Sequence, residues 1–295
     1  MTEQIKAYAK INLHLDIKSK RDDGFHEVEM LMQSVSLCDT VSVTLTETAE
    51  FFAECNVEDV PTGDKNIAVR AAKLFMRRAE IDCGARITIE KRIPMAAGLA
   101  GGSTDAAAVL VAMNRLCNDR FSYSELCDMA AELGSDVPFC ISGGCAYSEG
   151  RGEILTPFLP IPSNTVFVIA CGGEGVSTPW AYGLMDETFN DFRYYSVRGI
   201  QAFEETLKSD KPEDFYKHLF NIFEAPVMAH RPAVAHMRET MLQNGARAAM
   251  MSGSGPSVFG IFENQNEAET ARKDLENSGY FACVCAPEAT RNIKK

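Results

Sequence analysis

Apolar and polar residues alternate along the first 18 positions of the chain, with apolar side chains at positions 5, 7, 9, 11, 13, 15 and 17. A period of two predicts a β-strand that buries one face. Lys10 and Asn12 have the other parity, so we expect them to share the opposite face of this strand. A turn is predicted at 21–24, followed by extended segments over 25–35 and 41–45.

The remaining pattern mixes helices and strands. A capping-box pattern at Ser122 and Glu125 opens a helix that ends at Gly134. Apolar residues at helical spacing predict further helices over 65–79, 103–117 and 265–277, and helical segments within 178–243. Strands are predicted over 86–93, 166–170, 248–251, 257–262 and 281–285.

Three prolines, at positions 157, 160 and 162, mark a candidate boundary between two halves. Helix and strand stand next to each other in the second half, which favours an α+β fold over a strict βαβ alternation. We therefore predict two domains, 1–160 and 161–295.

Composition narrows the classes of function. The 295 residues are 46% hydrophobic, enough for a sizeable core, and the formal net charge is -12. That charge repels phosphate backbones and argues against a nucleic-acid-binding protein. No basic leader or membrane-length apolar run is found, so we expect a cytoplasmic protein without a membrane partner. The sequence does not define an oligomeric partner.

The ten cysteines are scattered, mostly among apolar neighbours, and no CxxC pair occurs. This usage is typical of reduced thiols in a core, and it favours that interpretation over a metal site.

The stretch PMAAGLAGGSTDAAAVL, 94–110, places glycines directly before a predicted helix. Glycine lets backbone N–H groups approach a ligand, and a helix N-terminus adds unpaired N–H groups and partial positive charge. This is typical of a phosphate-binding loop, although the P-loop lysine and the GxGxxG spacing are both missing. The alternative is a helix end packed tightly on a sheet. Three candidates could supply the missing cation: Lys10, Lys91 and Arg92.

Two further segments have both a structural and a functional interpretation. MMSGSGPSVFGIF, 250–262, places glycines between two apolar strands and is typical of a hairpin turn. In GSDVPFC, 134–140, Asp136 precedes Val-Pro and can cap a helix. Beside a phosphate loop and a strand lysine, that carboxylate can instead serve phosphoryl transfer, which needs positioned phosphates, a metal, a cation and a base.

These segments, in this order, resemble the GHMP kinases, a family of small-molecule kinases, over nearly the whole chain. The central family motif corresponds to 94–107 and the third motif to 252–255. The Gly-aromatic-His element at 24–26 is missing from mevalonate and homoserine kinases. The similarity to members that act on a cytidine-diphosphate-linked methylerythritol rests on three segments: AKINLHLDI (9–17), DGFHEVEMLMQSV (23–35) and GSDVPFCISGG (134–144).

The resemblance implies a two-domain GHMP kinase fold. Its N-terminal domain would be ribosomal-protein-S5-like and bind ATP, and its C-terminal domain would be ferredoxin-like. It also implies ATP-dependent phosphorylation of the 2-hydroxyl of that substrate, giving the 2-phosphate and ADP, on the non-mevalonate route to isoprenoid precursors. The partner would thus be a small cytidine diphosphate compound, with ATP and Mg²⁺ as cofactors.

The resemblance further assigns roles around the substrate. Asp136 matches the family's catalytic aspartate, and Lys10 matches its partner lysine, which would supply the missing cation. His26 would read the cytosine edge through backbone or ring contacts. The base itself would be stacked between two aromatic rings, Phe25 and Tyr182. Asn12 would contact the substrate beside Lys10.

The positions implied for ATP are Asn66, Lys91, Pro94, Met95, Ala96, Ala97, Gly98, Leu99, Ala100, Gly101, Gly102, Ser103 and Thr104. Mg²⁺ would bridge the phosphates, with the hydroxyl of Ser103 or Thr104 as a candidate ligand. The chain departs from common family choices at four positions: Phe25, Ala96, Ala97 and Thr104. None of these changes removes a required chemical group, so an active enzyme is expected.

Two alternatives stay open. A GHMP kinase for another alcohol, such as mevalonate or homoserine, would share the glycine loops, and turnover with each alcohol would distinguish it. A non-catalytic RNA-binding protein would share the ribosomal-protein-like half. The net charge of -12 opposes that alternative, and filter binding with RNA would test it.

Overall fold

Two β-sheets and the helices packed on them organise the chain. They are seen in a computed structural model that describes residues 1–189 and 199–289. Positions 190–198 of the predicted helical region 178–243 lie outside the described residues, as do positions 290–295. Helices and strands are mixed in both halves, as the sequence predicts.

The first sheet contains seven strands: β1 Thr2–Lys20, β2 His26–Thr46, β3 Phe51–Cys55, β4 Gly84–Glu90, β5 Cys145–Glu149, β6 Ile154–Pro157 and β8 Phe220–Asn221. Its order is β3-β4-β2-β1-β8, with β5 paired to β2 and β6 paired to β5. The β3–β4 and β1–β8 pairs are parallel, whereas the other pairs are antiparallel.

Strand β2 is continuous over 21 residues, whereas the sequence predicts two segments, 25–35 and 41–45. The stretch between them has few apolar side chains to continue the alternation. It nevertheless pairs with β1, with Tyr8 opposite Cys38 and Ala7 opposite Asp39. Backbone hydrogen bonding therefore extends the strand through a stretch that its side chains do not predict.

Both faces of β1 are buried over 9–17, so the prediction of one buried face is correct only for the residues before them. Pairing with β2 is irregular around Lys10 and Asn12, and such irregularities turn backbone groups out of the ladder. The Lys10 N–H donates to the carbonyl of Leu99 at 3.2 Å, and the Asn12 N–H donates to Ser252 Oγ at 3.3 Å. Two glycine-rich loops thus cover the face that was expected to be open.

Nine α-helices lie within the described residues: α1 Ile67–Ala79, α2 Gly101–Leu116, α3 Tyr123–Leu133, α4 Val137–Ser142, α5 Thr178–Thr188, α6 Gly199–Leu207, α7 Glu224–His230, α8 Pro232–Gln243 and α9 Gln265–Asn277. A 3-10 helix spans Pro212–His218. Helix α2 is buried from Thr104 to Asn114, where its alanines allow close contact with β1, β2, α1 and α4. The predicted capping box of α3 is present at Ser122 and Glu125.

The second sheet contains four antiparallel strands, in the order β11-β7-β10-β9: β7 Val166–Cys171, β9 Ala248–Met251, β10 Val258–Phe262 and β11 Phe281–Cys285. All four strands were predicted from short apolar segments of the sequence. Strands β9 and β10 form a hairpin around the glycine-rich segment, which confirms the predicted turn.

The two halves of the chain share hydrogen bonds. Strand β8 comes from the second half and pairs with β1 of the first. The Ser36 N–H donates to the carbonyl of Ala286, and the Glu288 N–H donates to that of Ser34, both at 2.8 Å. The division into 1–160 and 161–295 stays a prediction. No helix among the described residues is long and apolar enough to cross a membrane.

Candidate active site

A cavity of about 970 Å³ gathers most of the residues that the sequence predicts as functional. It is lined by Lys10, Asn12, Phe25, His26, Asn66, Lys91, Asp136, Tyr182 and most of the loop 94–103. Leu99 and Thr104 do not line the cavity, because both are buried behind the loop with 1% and 0% exposure. Their predicted contact with ATP is therefore not supported by the geometry.

Lys10 and Asp136 face each other across this cavity. Lys10 Nζ donates to Asn12 Oδ1 at 2.6 Å and lies 3.9 Å from Asp136 Oδ2. The Lys10 side chain is nearly buried, whereas the Asp136 side chain is 33% exposed. Asp136 stands at the start of α4 but makes no capping hydrogen bond with its side chain. The carboxylate is thus directed at the lysine and the cavity, not used as a helix cap.

The two glycine-rich segments pack against each other behind this pair. Gly98 has φ +74°, and a Cβ there would lie 2.6 Å from the carbonyl oxygen of Ser252. A Cβ at Gly253 would lie 3.5 Å from Lys10 Nζ. Asn221 on β8 donates to the carbonyls of Met251 and Gly253, at 2.7 and 2.8 Å. The hairpin turn is therefore also a wall of the site, so the structural and the functional interpretation of this segment both apply.

The start of α2 has the character of an anion site. Its N-cap, Ala100, has φ +58° and provides no capping side chain, so the N–H groups of the first turn remain available. Ala96 also has a left-handed φ of +50°, a conformation that costs about 1–2 kcal/mol for alanine. The loop thus keeps its open geometry although alanine stands where some relatives have glycine.

Lys91 is held between two buried carboxylates, so it is not a free counter-ion for phosphate. Its Nζ donates to Asp39 Oδ2 at 2.5 Å and to Asp105 Oδ2 at 2.7 Å. Burial raises the pKa of Asp105 to about 7, although Lys91 lowers it. Arg92 is 62% exposed and pairs with Glu90 outside the cavity. Of the three predicted cations, Lys10 therefore fits best.

Asp39 is a functional neighbour that sequence reasoning missed. Its Oδ1 accepts hydrogen bonds from the N–H groups of Arg92 and Ile93, at 2.5 and 2.8 Å. It thereby fixes the strand end that leads into the loop. Nothing in the sequence indicated this role, because Asp39 lies in the polar stretch where β2 was not predicted.

Asn66 lines the cavity as the N-cap of α1. Its Oδ1 accepts from the Ala68 N–H at 2.9 Å, and its Nδ2 donates to the carbonyl of Pro61 at 2.8 Å. Both polar groups of the side chain therefore serve the fold. The ATP contact expected for Asn66 stays a prediction.

His26, Tyr182 and Asp186 form the other end of the cavity. The His26 and Tyr182 rings lie 4.8 Å apart between centroids, and His26 Nε2 lies 2.8 Å from Asp186 Oδ1. Burial opposes the charge on Asp186, but hydrogen bonds from Lys20 and His26 bring its pKa below its usual value. Asp186 was missed in the sequence, although it follows Tyr182 by four residues on α5 and so shares its helix face.

Phe25 is 53% exposed at the rim of this end. The guanidinium carbon of Arg151 lies 4.9 Å from the centroid of its ring, which is within the range of a cation–π contact. Sequence reasoning also missed Arg151, because it stands in a turn far from every recognised motif.

The hydroxyl groups predicted as Mg²⁺ ligands differ in position. Ser103 lines the cavity, whereas Thr104 Oγ1 is buried and has no hydrogen-bond partner among the described residues. Thr104 is therefore not placed to hold the metal, and Ser103 remains the candidate ligand. In the part of the chain described, no three His, Cys, Asp or Glu side chains gather into a metal cluster.

The family model of the GHMP kinases N terminal domain matches residues 66–144, and that of the GHMP kinases C terminal matches 203–280. The 4-diphosphocytidyl-2-C-methyl-D-erythritol kinase of Alkaliphilus metalliredigens is 42% identical over 275 residues, 92% of both chains. The chain belongs to the GHMP kinase family. A kinase of the same name from Acetivibrio thermocellus is also 42% identical, over 95% of this GHMP kinase and 97% of its own length.

Solved structures confirm the two-domain α+β fold expected for a GHMP kinase. The crystal structure of a 4-(cytidine 5'-diphospho)-2C-methyl-D-erythritol kinase has a TM-score of 0.80 and 33% identity, covering 97% of this chain and 100% of its own. Homoserine kinase from Cytophaga hutchinsonii shares the fold, with a TM-score of 0.75 and 18% identity over 98% and 95% of the two chains. GHMP kinases use ATP as the phosphate donor, generally with Mg²⁺.

Proposed function

We propose that this GHMP kinase transfers the γ-phosphate of ATP to the 2-hydroxyl of 4-diphosphocytidyl-2-C-methyl-D-erythritol. The products are the 2-phosphate and ADP, and the reaction belongs to isoprenoid precursor synthesis. The observation that carries the proposal is the Lys10–Asp136 pair, which lies in one cavity with the glycine loop and the His26–Tyr182 pocket. Relatives named for this activity, 42% identical over nearly their full lengths, support the choice of substrate.

Asp136 and Lys10 divide the chemistry. As the substrate oxygen bonds to the γ-phosphorus and the bond to the ADP oxygen breaks, the hydroxyl proton passes to the Asp136 carboxylate. The Lys10 ammonium, 3.9 Å from that carboxylate, donates to the oxygens of the transferring phosphoryl group. A loose transition state carries charge on those oxygens, so positioning and electrostatic stabilisation dominate the rate.

The loop 94–103 holds the phosphates of ATP in this proposal. The uncapped first turn of α2 supplies N–H donors, and Gly98 and Gly101 let the loop pack closely against Ser252 and Lys91. The residues present fit a Mg²⁺ ion, which takes one or two protein oxygens and completes its shell with phosphates and water. The Ser103 hydroxyl would hold it, and it would neutralise charge on the phosphates.

The cytosine lies at the other end of the cavity, in contact with Phe25, His26 and Tyr182. Stacking of a base on an aromatic ring is worth about 1–3 kcal/mol in single-strand recognition. Asp186 Oδ1 accepts a hydrogen bond from His26 Nε2 and so fixes the ring. The pocket is therefore formed before the substrate enters. Asn12, hydrogen-bonded to Lys10, would contact the methylerythritol.

The experiment is steady-state turnover of 4-diphosphocytidyl-2-C-methyl-D-erythritol with ATP and Mg²⁺, comparing the wild type with Asp136→Asn. Loss of the positioned base should lower kcat by about 10²–10⁴. Asp128→Asn on the exposed face of α3 is the matched control and should retain full activity.

Other results would assign the site differently. Near-normal turnover by folded Asp136→Asn would show that Asp136 is not the base, while the proposed reaction would stand. Phosphorylation of mevalonate or homoserine, with none of the cytidine substrate, would replace the substrate assignment.

A further inference from the structure

The turn between β5 and β6 holds Arg151 at a fixed place on the cavity rim. Gly150 and Gly152 have φ of +71° and +114°, conformations that other residues rarely adopt. The Gly150 N–H donates to Glu27 Oε1 at 3.0 Å, and its carbonyl accepts from the Val28 N–H at 2.8 Å. The turn is thereby anchored to the start of β2, directly after Phe25 and His26.

The second glycine brings the turn against the cavity wall. A Cβ at Gly152 would lie 2.7 Å from Cε of Met30, which itself lines the cavity. The carbonyl of Gly152 accepts from Ser148 Oγ at 2.8 Å. The backbone that carries Arg151 is therefore held on both sides of the arginine.

The Arg151 side chain lines the cavity and is 38% exposed. Its guanidinium stacks on Phe25, and its Nε lies 3.6 Å from Glu153 Oε1. That separation is longer than a hydrogen bond. The group can therefore turn its planar set of donors to a phosphate while it stays on the ring.

Four cationic side chains line the cavity among the described residues: Lys10, Lys65, Lys91 and Arg151. Lys10 serves the reacting centre beside Asp136, and Lys91 is balanced by two carboxylates. Lys65 precedes α1, at the wall proposed for ATP. Arg151 is the cation that stands beside Phe25, where the cytosine is proposed to bind.

We propose that Arg151 binds the diphosphate of the cytidine substrate and makes the site selective for a nucleoside diphosphate over the nucleoside. This inference rests on the proposed cytidine pocket. A guanidinium stacked on Phe25 faces the base and its phosphates at once, so Arg151 links recognition of both parts. Arginine suits this role because its planar fork pairs with two phosphate oxygens.

The test measures the binding of cytidine and of cytidine diphosphate to the wild type and to Arg151→Met, without ATP, by calorimetry. Hydrogen bonds to charged groups are worth about 1.5–3 kcal/mol, so cytidine diphosphate should bind roughly 10- to 100-fold more weakly to the variant. Cytidine should change by no more than about fivefold, because a surface-exposed stacking contact is worth only about 0.5–1 kcal/mol. Arg151→Lys should recover part of the diphosphate preference, and Arg120→Met, an exposed arginine outside the cavity, should leave it intact.

Each other outcome overturns the inference in a recognisable way. Equal losses for cytidine and cytidine diphosphate would show that Arg151 only orients Phe25. Unchanged affinities for both compounds would show that Arg151 has no part in substrate recognition. If the wild type binds neither compound, the proposed cytidine pocket is wrong, and so is the role of Arg151 that rests on it. Should Arg151→Met not fold, Arg151→Gln removes the charge and keeps a polar N–H group on a shorter side chain, and the same ratio decides.

Discussion

His14 is a buried imidazole on β1 whose ring nitrogens have no hydrogen-bond partner among the described residues. Its ring packs on Phe220 with centroids 5.5 Å apart. Burial lowers the pKa of His14 below its usual 6.5 and outweighs the carboxylates of Glu29 and Asp16, which raise it, while Lys18 also lowers it. The folded protein therefore favours the neutral ring.

This shift has a defined sign for stability. The unfolded chain takes up the proton at its usual pKa of 6.5, before the folded protein does, so stability is complete above pH 6.5 and falls below it. His14→Phe keeps the ring packing and should reduce the loss in free energy of unfolding between pH 7 and 5.5, measured by urea denaturation. Asp105, with a pKa of about 7, acts in the opposite direction, so the informative quantity is the difference between variant and wild type.

His236→Phe, on an exposed part of α8, is the control and should follow the wild-type pH dependence. If His14→Phe loses as much stability on acidification as the wild type, the buried imidazole is not the responsible group.

The glycine loop is an element whose glycines are not equivalent. Gly98 has a left-handed φ, and a Cβ there would lie 2.6 Å from a backbone oxygen. A Cβ at Gly102 would meet Ile67 Cγ2 at an ordinary 3.5 Å. Gly98→Ala should therefore lower the melting temperature, whereas Gly102→Ala should leave it unchanged or raise it, because alanine favours a helix by about 0.5–1 kcal/mol over glycine. Equal melting temperatures for the two variants would contradict this distinction.

Element by element, the sequence predicted most of the secondary structure, because apolar periodicity was clear in β1, α1 and α2 and short apolar segments marked the second sheet. It failed where backbone pairing or tertiary contact decided the outcome. The polar stretch inside β2 is paired by β1, and the second face of β1 is covered by loops from residues far away in the chain. A pattern of side chains contains neither of those contacts.

The site divides in the same way. Lys10, Asp136 and the glycine loop belong to motifs and could be predicted together. Asp186 and Arg151 were missed because each acts through a residue far away in the chain, His26 or Phe25. The sequence around each of them contains no motif that predicts such a contact.

On the scale of the whole molecule, the two predicted halves depend on each other. A fragment 1–160 lacks β8, which pairs with β1, and lacks the hydrogen bonds between 286–288 and β2. We expect this fragment to lose the cooperative thermal transition of the full chain in circular dichroism. Co-expression with 161–295 should restore both the transition and the activity. A fragment 1–160 that unfolds cooperatively near the full-length midpoint would show instead that its sheet is self-sufficient.

The pairing of β1 with β8 also sets an order of events during synthesis. At about 5–20 residues per second, β1 waits roughly 10–40 s before Phe220 and Asn221 leave the ribosome. The wall at 252–255 follows later still. Until then the Lys10 ammonium remains hydrated, and the glycine loop lacks the residues against which Gly98 packs. The kinase can therefore complete its site only late in translation, because a chain that ends before residue 252 lacks the wall that packs against Gly98 and Lys10.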